Sequence, residues 1–129
     1  MGQRATEPGE GPAVDLKVFL DDLAQREWGP APPGARGITQ KILSGKAFCP
    51  GFMAALSRVA PGGEFPAHAH DYVHVFYVLE GQATFTLSGQ EIQGGKGTVV
   101  RIPPDMPHAY RNPGPTDLLL LVINSPATR

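Results

Sequence analysis

The feature that most constrains this chain is a series of short apolar segments separated by glycine- and proline-containing turns. The chain contains 16 glycines and 14 prolines among 129 residues. Short strands at close spacing with such turns indicate a β-barrel or a double-sheet jelly roll. We therefore predict an all-β fold with eight or more strands. The predicted strands include Ile38–Leu43, Phe52–Val59, Val73–Glu80, Ala83–Leu87, Thr98–Ile102, Pro107–Arg111 and Asp117–Asn124. Pro61-Gly62-Gly63 is predicted to be a turn that leads into the first histidine strand, and Gly94–Gly97 a hairpin.

The N-terminal part of the chain has a different composition. Residues 1–12 contain Gly, Pro and Glu and are predicted to form a flexible tail. Ala13–Glu27 has helical spacing of apolar residues with Asp15 as a candidate N-cap, although a short strand with one or two helical turns also fits. We expect residues 13–129 to form a single domain with this segment as an N-terminal extension.

Charge and hydropathy exclude several classes of partner. The formal net charge is −1, with 11 basic and 12 acidic residues interspersed, so we expect no nucleic-acid partner and no membrane partner. No apolar run approaches the ~20 residues of a membrane span. The polar N-terminus lacks a signal-peptide core, and Cys49 has no partner for an internal disulfide. These observations predict a soluble, cytoplasmic protein.

All four histidines lie between Gly62 and Asn112, which predicts a metal site. Alternate residues of a strand face the same side, so His68 and His70 point the same way, roughly 6–7 Å apart along the backbone. His74 keeps that parity, and His108 needs only a neighbouring strand to lie opposite. Converging imidazoles suit a divalent transition metal.

The spacing of these residues resembles both cupin motifs. Gly62, five residues, His68-Ala69-His70, three residues, His74, six residues and Gly81 resemble the first motif, G-x5-H-x-H-x3,4-E-x6-G. The second motif, G-x5-P-x-G-x2-H-x3-N, is matched as follows: Gly97, five residues, Pro103, four residues, His108, three residues, Asn112. The chain is therefore identified as a member of the cupin superfamily, similar to small monocupins.

The resemblance implies a double-stranded β-helix barrel, or jelly roll, that holds one metal. The implied ligands are His68, His70, His74 and His108. His74 stands where the family usually has a glutamate, and Asp105 stands where the second motif has glycine. Aspartate tolerates turn conformations, so the second change is mild. Asn112 is expected to be structural.

Strand parity predicts which other residues face the interior. If His74 and His108 face inward, Phe76 and Tyr110 do too. Both are candidates for the pocket wall, although Phe76 could equally be a residue that fills the barrel. The opposite parity, including Val75 and Tyr77, is also apolar and needs a cover. The N-terminal segment or a second subunit could supply it, and we favour a homodimer.

Four neutral imidazoles leave the charge of a divalent ion uncompensated, which favours anionic ligands. We expect Fe or Mn, with Ni, Zn and Cu open. The predicted function is that of a dioxygenase-like oxidoreductase that uses dioxygen to cleave a small chelating substrate. The alternatives are a non-catalytic or sensory cupin that binds a small molecule and has a structural metal, and an isomerase or lyase in which the metal acts as a Lewis acid.

Overall fold

Nine strands make up most of the computed structural model, which describes residue 11 and residues 13–126. Every strand pairing is antiparallel. The strands are β1 (Gly29–Pro30), β2 (Arg36–Ser44), β3 (Met53–His68), β4 (His74–Glu80), β5 (Ala83–Leu87), β6 (Gln90–Gly94), β7 (Val99–Ile102), β8 (His108–Arg111) and β9 (Leu118–Asn124). The predicted all-β fold is confirmed.

The strand order explains how the sheet curls into a half-barrel. It runs β6-β5-β8-β3-β9-β4-β7, with β2 also paired to β3 and β1 to β2. The long strand β3 joins the two halves: Met53–Val59 pairs with β9 and β2, whereas Glu64–His68 pairs with β8. Because β3 contributes to both halves, its bend determines where His68 emerges.

The bend in β3 lies at Pro61-Gly62-Gly63, where the sequence predicted a turn between two strands. Gly62 has φ +80°, a conformation that favours glycine. A Cβ on Gly63 would lie 2.9 Å from the Ala60 carbonyl oxygen. The two glycines let one continuous strand turn sharply, so the boundary expected here is an internal bend.

A second expectation, a hairpin at Gly94–Gly97, is wrong. Strand β6 pairs with β5, while β7 pairs with β4, so this turn carries the chain from one half of the barrel to the other. A glycine-rich turn between two strands fits both connections. Local sequence therefore did not distinguish them.

The interior follows the predicted period of two. On β4, His74, Phe76 and Val78 are buried, and Tyr77 between them is exposed. On β8, His108 and Tyr110 are buried, and parity extends to Asn112 just beyond the strand. The apolar core also contains Ile38, Val59, Ala83, Phe85, Val100, Ile102, Leu118, Leu120 and Val122.

The N-terminal segment covers part of the outer face. It contains two three-residue 3-10 helices, Leu16–Val18 and Leu23–Gln25, and the side chain of Asp15 caps the first as expected. The Lys41 ammonium on β2 donates to the Leu23 carbonyl oxygen at 2.5 Å and lies over the ring of Trp28. The two 3-10 helices are the only helices in the described part of the chain, and neither is long or apolar enough to cross a membrane. The predicted tail, residues 1–12, lies outside the described residues apart from Gly11.

Candidate metal centre

Strands that are adjacent in the sheet bring the four histidines to one end of the barrel. His68 ends β3 and His108 begins β8, and these two residues are register partners. His74 begins β4, and His70 lies in the connection between β3 and β4. One candidate ligand nitrogen from each histidine lies within 4.8 Å of the other three. The structure therefore brings together all four residues that the sequence predicted as ligands.

Hydrogen bonds orient three of the rings in the same sense. The Nδ1 atoms of His68, His74 and His108 lie 2.6, 2.5 and 2.9 Å from the oxygens of Pro66, Asn124 and Met106, respectively. An amide oxygen can only accept, so each Nδ1 carries the proton. The lone pair of each ring is then on Nε2, as metal binding requires.

The electrostatics of the cluster favour neutral imidazoles. Burial lowers the pKa of His74 to about 4; repulsion from the other three rings adds to this, and the hydrogen bond that His74 donates to Asn124 opposes it. Burial also lowers the pKa of His108, and burial together with repulsion from His68 and His108 lowers the pKa of His70. Neutral imidazole is the form that ligates a metal.

An orphaned nitrogen tests whether a metal suits the site. The Nε2 atom of His108 is buried and has no hydrogen-bond partner. Leaving a buried polar atom unpaired costs about 1–3 kcal/mol, and a metal ion would remove that cost. The donor set fits a divalent transition ion, since three rings present Nε2 and the fourth lies among them.

Three of the four histidines, His68, His70 and His74, line a cavity of about 90 Å³ whose wall is largely apolar. Its lining includes Phe76 and Tyr110, the two residues that strand parity predicted as candidates for the pocket wall. No Lys, Arg, Asp or Glu is among the described residues that line it. Besides His68, His70 and His74, the lining consists of Pro32, Gln40, Met53, Ala55, Ser57, Phe65, Tyr72, Phe76, Tyr110, Val122 and Asn124.

Sequence reasoning missed two residues close to the histidines. Tyr72 stacks on His70, with ring centroids 4.5 Å apart and an angle of 7° between the planes. Its place between His70 and His74 was a signal that could have identified it. Asn124 contacts His74 from a strand fifty residues away, and no local pattern signals that contact.

Two residues at motif positions are structural. Asp105 has φ +68°, which explains why glycine suits this position, and its N–H donates to the carbonyl oxygen of His70 at 2.6 Å. Asn112 is buried, and its side-chain nitrogen donates to the carbonyl oxygens of Val59 and Thr116. The expectation that Asn112 is structural agrees with these contacts.

Comparison with known sequences assigns the family. The sequence profile of the cupin domain matches residues 55–124, more than half of the chain and the region that contains all four histidines. The chain belongs to the cupin family. The predicted recognition is therefore confirmed, and the four-histidine cluster is a variant of the usual cupin site.

Two curated relatives of this cupin are named as dioxygenases. Quercetin 2,3-dioxygenase from Bacillus subtilis (strain 168) is 38% identical over 61 residues, which cover 46% of this chain and 18% of the relative. The 5-nitrosalicylic acid 1,2-dioxygenase from Bradyrhizobium sp. is 26% identical over 132 residues, or 97% of this chain and 63% of the relative. This cupin therefore spans less than two thirds of either relative.

Solved structures share the fold. The polyketide cyclase RemF from Streptomyces resistomycificus superposes with a TM-score of 0.74 and 25% sequence identity, covering 82% of this chain and 78% of the other. A RmlC-like cupin from Shewanella frigidimarina gives a TM-score of 0.71 and 27% identity, covering 84% and 91%. The barrel architecture expected from the motifs is confirmed.

Proposed function

We propose that this cupin is a metal-dependent oxidoreductase that carries out dioxygenase-type cleavage of a small chelating substrate. The observation that carries the proposal is the four-histidine cluster, whose ligand nitrogens lie within 4.8 Å of one another at the end of an apolar cavity. His68, His70, His74 and His108 would hold the ion. A redox-active ion, for which we favour Fe or Mn, would supply Lewis acidity and electron transfer to dioxygen.

The chain's contribution begins with the charge of the ligands. Four neutral histidines cancel none of the ion's charge, whereas the glutamate usual at the position of His74 would cancel one unit. The site should therefore favour an anionic oxygen on the substrate. Because no cationic side chain lines the described cavity, the ion would be the main partner for that anion.

The cavity also limits how the substrate is deprotonated. No carboxylate lines it among the described residues. Burial raises the pKa of Tyr110, so its phenol stays protonated at neutral pH. A substrate that is already acidic, such as a phenol or an enol, meets this constraint. Phe65, Phe76 and Tyr110 would contact its apolar body and exclude water.

The relatives support the reaction class. Both curated relatives described above are named as dioxygenases of aromatic compounds, and the match to one of them spans nearly the whole of this chain. An apolar wall with four aromatic side chains besides the histidines suits a planar substrate of that kind.

A second candidate is a cyclase, isomerase or lyase in which the metal acts only as a Lewis acid. Its support is the similarity to a protein named as a polyketide cyclase. The same cavity and the same four histidines would serve this chemistry without dioxygen.

Oxygen consumption separates the two candidates. The experiment loads metal-free protein with Fe(II), Mn(II) or Zn(II) and follows dioxygen with an electrode as catechol, salicylate or a β-diketone is added. We expect consumption with Fe(II) or Mn(II) and none with Zn(II). Substrate conversion without dioxygen uptake would favour the Lewis-acid candidate. Metal binding with no conversion of any probe would contradict the oxidoreductase proposal and leave a non-catalytic, small-molecule-binding cupin.

A further inference from the structure

Asn124, the last residue of β9, contacts the histidine cluster. It is the register partner of His74, so the end of β9 lies beside the start of β4. The His74 Nδ1–H donates to the Asn124 Oδ1 at 2.5 Å. The backbone pairing continues one residue beyond Asn124, since the Ser125 N–H donates to the Val73 carbonyl oxygen at 3.0 Å. The backbone thus holds the amide of Asn124 against the ring of His74.

This contact differs in kind from those of His68 and His108. Their Nδ1 atoms contact the backbone carbonyl oxygens of Pro66 and Met106, two residues earlier in the chain. Backbone acceptors are the same for every sequence. Among the hydrogen bonds of these three described rings, the contact of His74 alone is made by a side chain. Of these three contacts, it is therefore the only one in which a substitution can change the charge of the acceptor.

In this chain the acceptor is the neutral side-chain amide of Asn124. A carboxylate in contact with a ligating histidine withdraws its proton partially, raises the basicity of the ring and brings negative charge towards the metal. An amide oxygen fixes the same tautomer without that charge. His74 itself stands where the family usually has an anionic ligand. Both the ligand and its hydrogen-bond partner at this corner are thus neutral.

We propose that Asn124 is a positioning residue that fixes His74 with Nε2 towards the ion. Because its amide is neutral, it also adds no negative charge beside this ligand. The inference rests on the proposed function for the existence of a metal centre. Its consequence is specific: the identity of residue 124 sets both how tightly the ion is held and how strongly the ion attracts an anionic ligand.

Three variants test this role with Co(II), whose visible spectrum reports its ligands, as the probe. Asn124→Leu removes the acceptor at similar volume and should lower the affinity for Co(II) about 10–100-fold, measured by competition with a chelator. Asn124→Asp restores the acceptor and should restore or exceed the wild-type affinity. It should also weaken the binding of azide to the Co(II) protein several-fold, because the added negative charge opposes the anion. Ser125→Ala is the matched control: the Ser125 Oγ hydrogen-bonds to Val73 and Pro126 and not to a histidine, and the substitution leaves the backbone bond to Val73 in place, so the variant should match the wild type.

A measurement on the metal-free protein separates this inference from the proposed function. Nitrogen-15 NMR of the imidazole rings should show His74 as the Nδ1–H tautomer in the wild type and as a mixture in Asn124→Leu. If the wild type bound no Co(II), the metal centre would be refuted, while the tautomer result would still test Asn124. Unchanged Co(II) affinity and tautomer in Asn124→Leu would overturn the inference. If that variant did not fold, unchanged azide affinity in Asn124→Asp would overturn it.

Discussion

His74 differs from the other three histidines in its side-chain hydrogen-bond partner and in its place in the motif. Burial lowers its pKa to about 4, and its ring centroid lies 5.1 Å from that of His108 and 4.8 Å from that of His70. Because it occupies the position of the usual glutamate, substitution here separates the effect of ligand number from the effect of ligand charge.

We predict that His74→Ala and His74→Glu have different effects on metal content. Removal of the ring leaves three imidazoles, so His74→Ala should retain less than about a tenth of the wild-type metal after dialysis. His74→Glu restores a carboxylate ligand, so it should retain metal while binding azide more weakly than the wild type. Elemental analysis of each protein, purified without added metal, provides the measurement. Full occupancy in His74→Ala would remove His74 from the ligand set.

The same residue makes the metal-free protein sensitive to acid. The pKa of His74 is about 4 in the folded state and 6.5 in the unfolded state, because burial disfavours the charged ring. Between these values the unfolded chain binds more protons than the folded one. The free energy of unfolding therefore decreases as pH falls from about 6.5 to 4, by up to about 3 kcal/mol from this residue.

Urea unfolding of the chelator-treated protein at pH 7.5 and at pH 4.5 measures this loss. His74→Gln cannot be protonated and serves as the control, with a smaller decrease over the same interval. The lowered pKa values of His70 and His108 also reduce the free energy of unfolding at low pH, so His74→Gln should still show some decrease. Equal decreases in the wild type and in His74→Gln would contradict this assignment.

At the scale of elements, local sequence predicted β2 to β5 and β7 to β9, but it missed β1 and β6 and did not give all of the connections. Alternation on β4 and β8 correctly placed Phe76 and Tyr110 on the inner face, because a period of two is a property of each strand alone. The contact between His74 and Asn124 joins residues fifty positions apart, so it depends on which strands pair. The turn after β6 was assigned wrongly for the same reason.

The bend within β3 is the element on which the site most depends, because it carries His68 to its place beside β8. We predict that Gly63→Ala destabilises the protein by about 1–3 kcal/mol. A Cβ there would lie 2.9 Å from both the Ala60 oxygen and the Val59 Cγ1, and the backbone leaves little room for adjustment. Gly29→Ala in β1 is the matched control, since its Cβ would lie 3.7 Å from its nearest neighbour.

Thermal unfolding of both variants gives the comparison, and metal content shows whether the bend also affects the site. We expect Gly63→Ala to unfold several degrees below the wild type and to bind less metal, because His68 ends the displaced strand. A Gly63→Ala protein as stable as Gly29→Ala would show that β3 can bend without this glycine.

At the scale of the whole molecule, the described residues leave an apolar outer face without a cover. Tyr77, Val99 and Ile123 are 38–41% exposed on β4, β7 and β9. They form one surface, because Tyr77 pairs with Val99 and Val75 pairs with Ile123. The N-terminal contacts of Lys41 and Trp28 lie instead on the β2 side of the barrel.

The single domain over 13–129 and the cytoplasmic location stay predictions.

We predict that this face packs against the same face of a second copy. Strands that are apolar on both sides require a cover, and in a two-fold dimer the same patch of each subunit covers that of the other. Size-exclusion chromatography with light scattering should give twice the mass of the chain. The double variant Tyr77→Glu/Ile123→Glu should give a monomer, because two carboxylates would be buried at the contact. Leu43→Glu, a similarly exposed apolar position on β2, should remain a dimer. A monomeric wild type, or a dimer that survives the double variant, would contradict this interface.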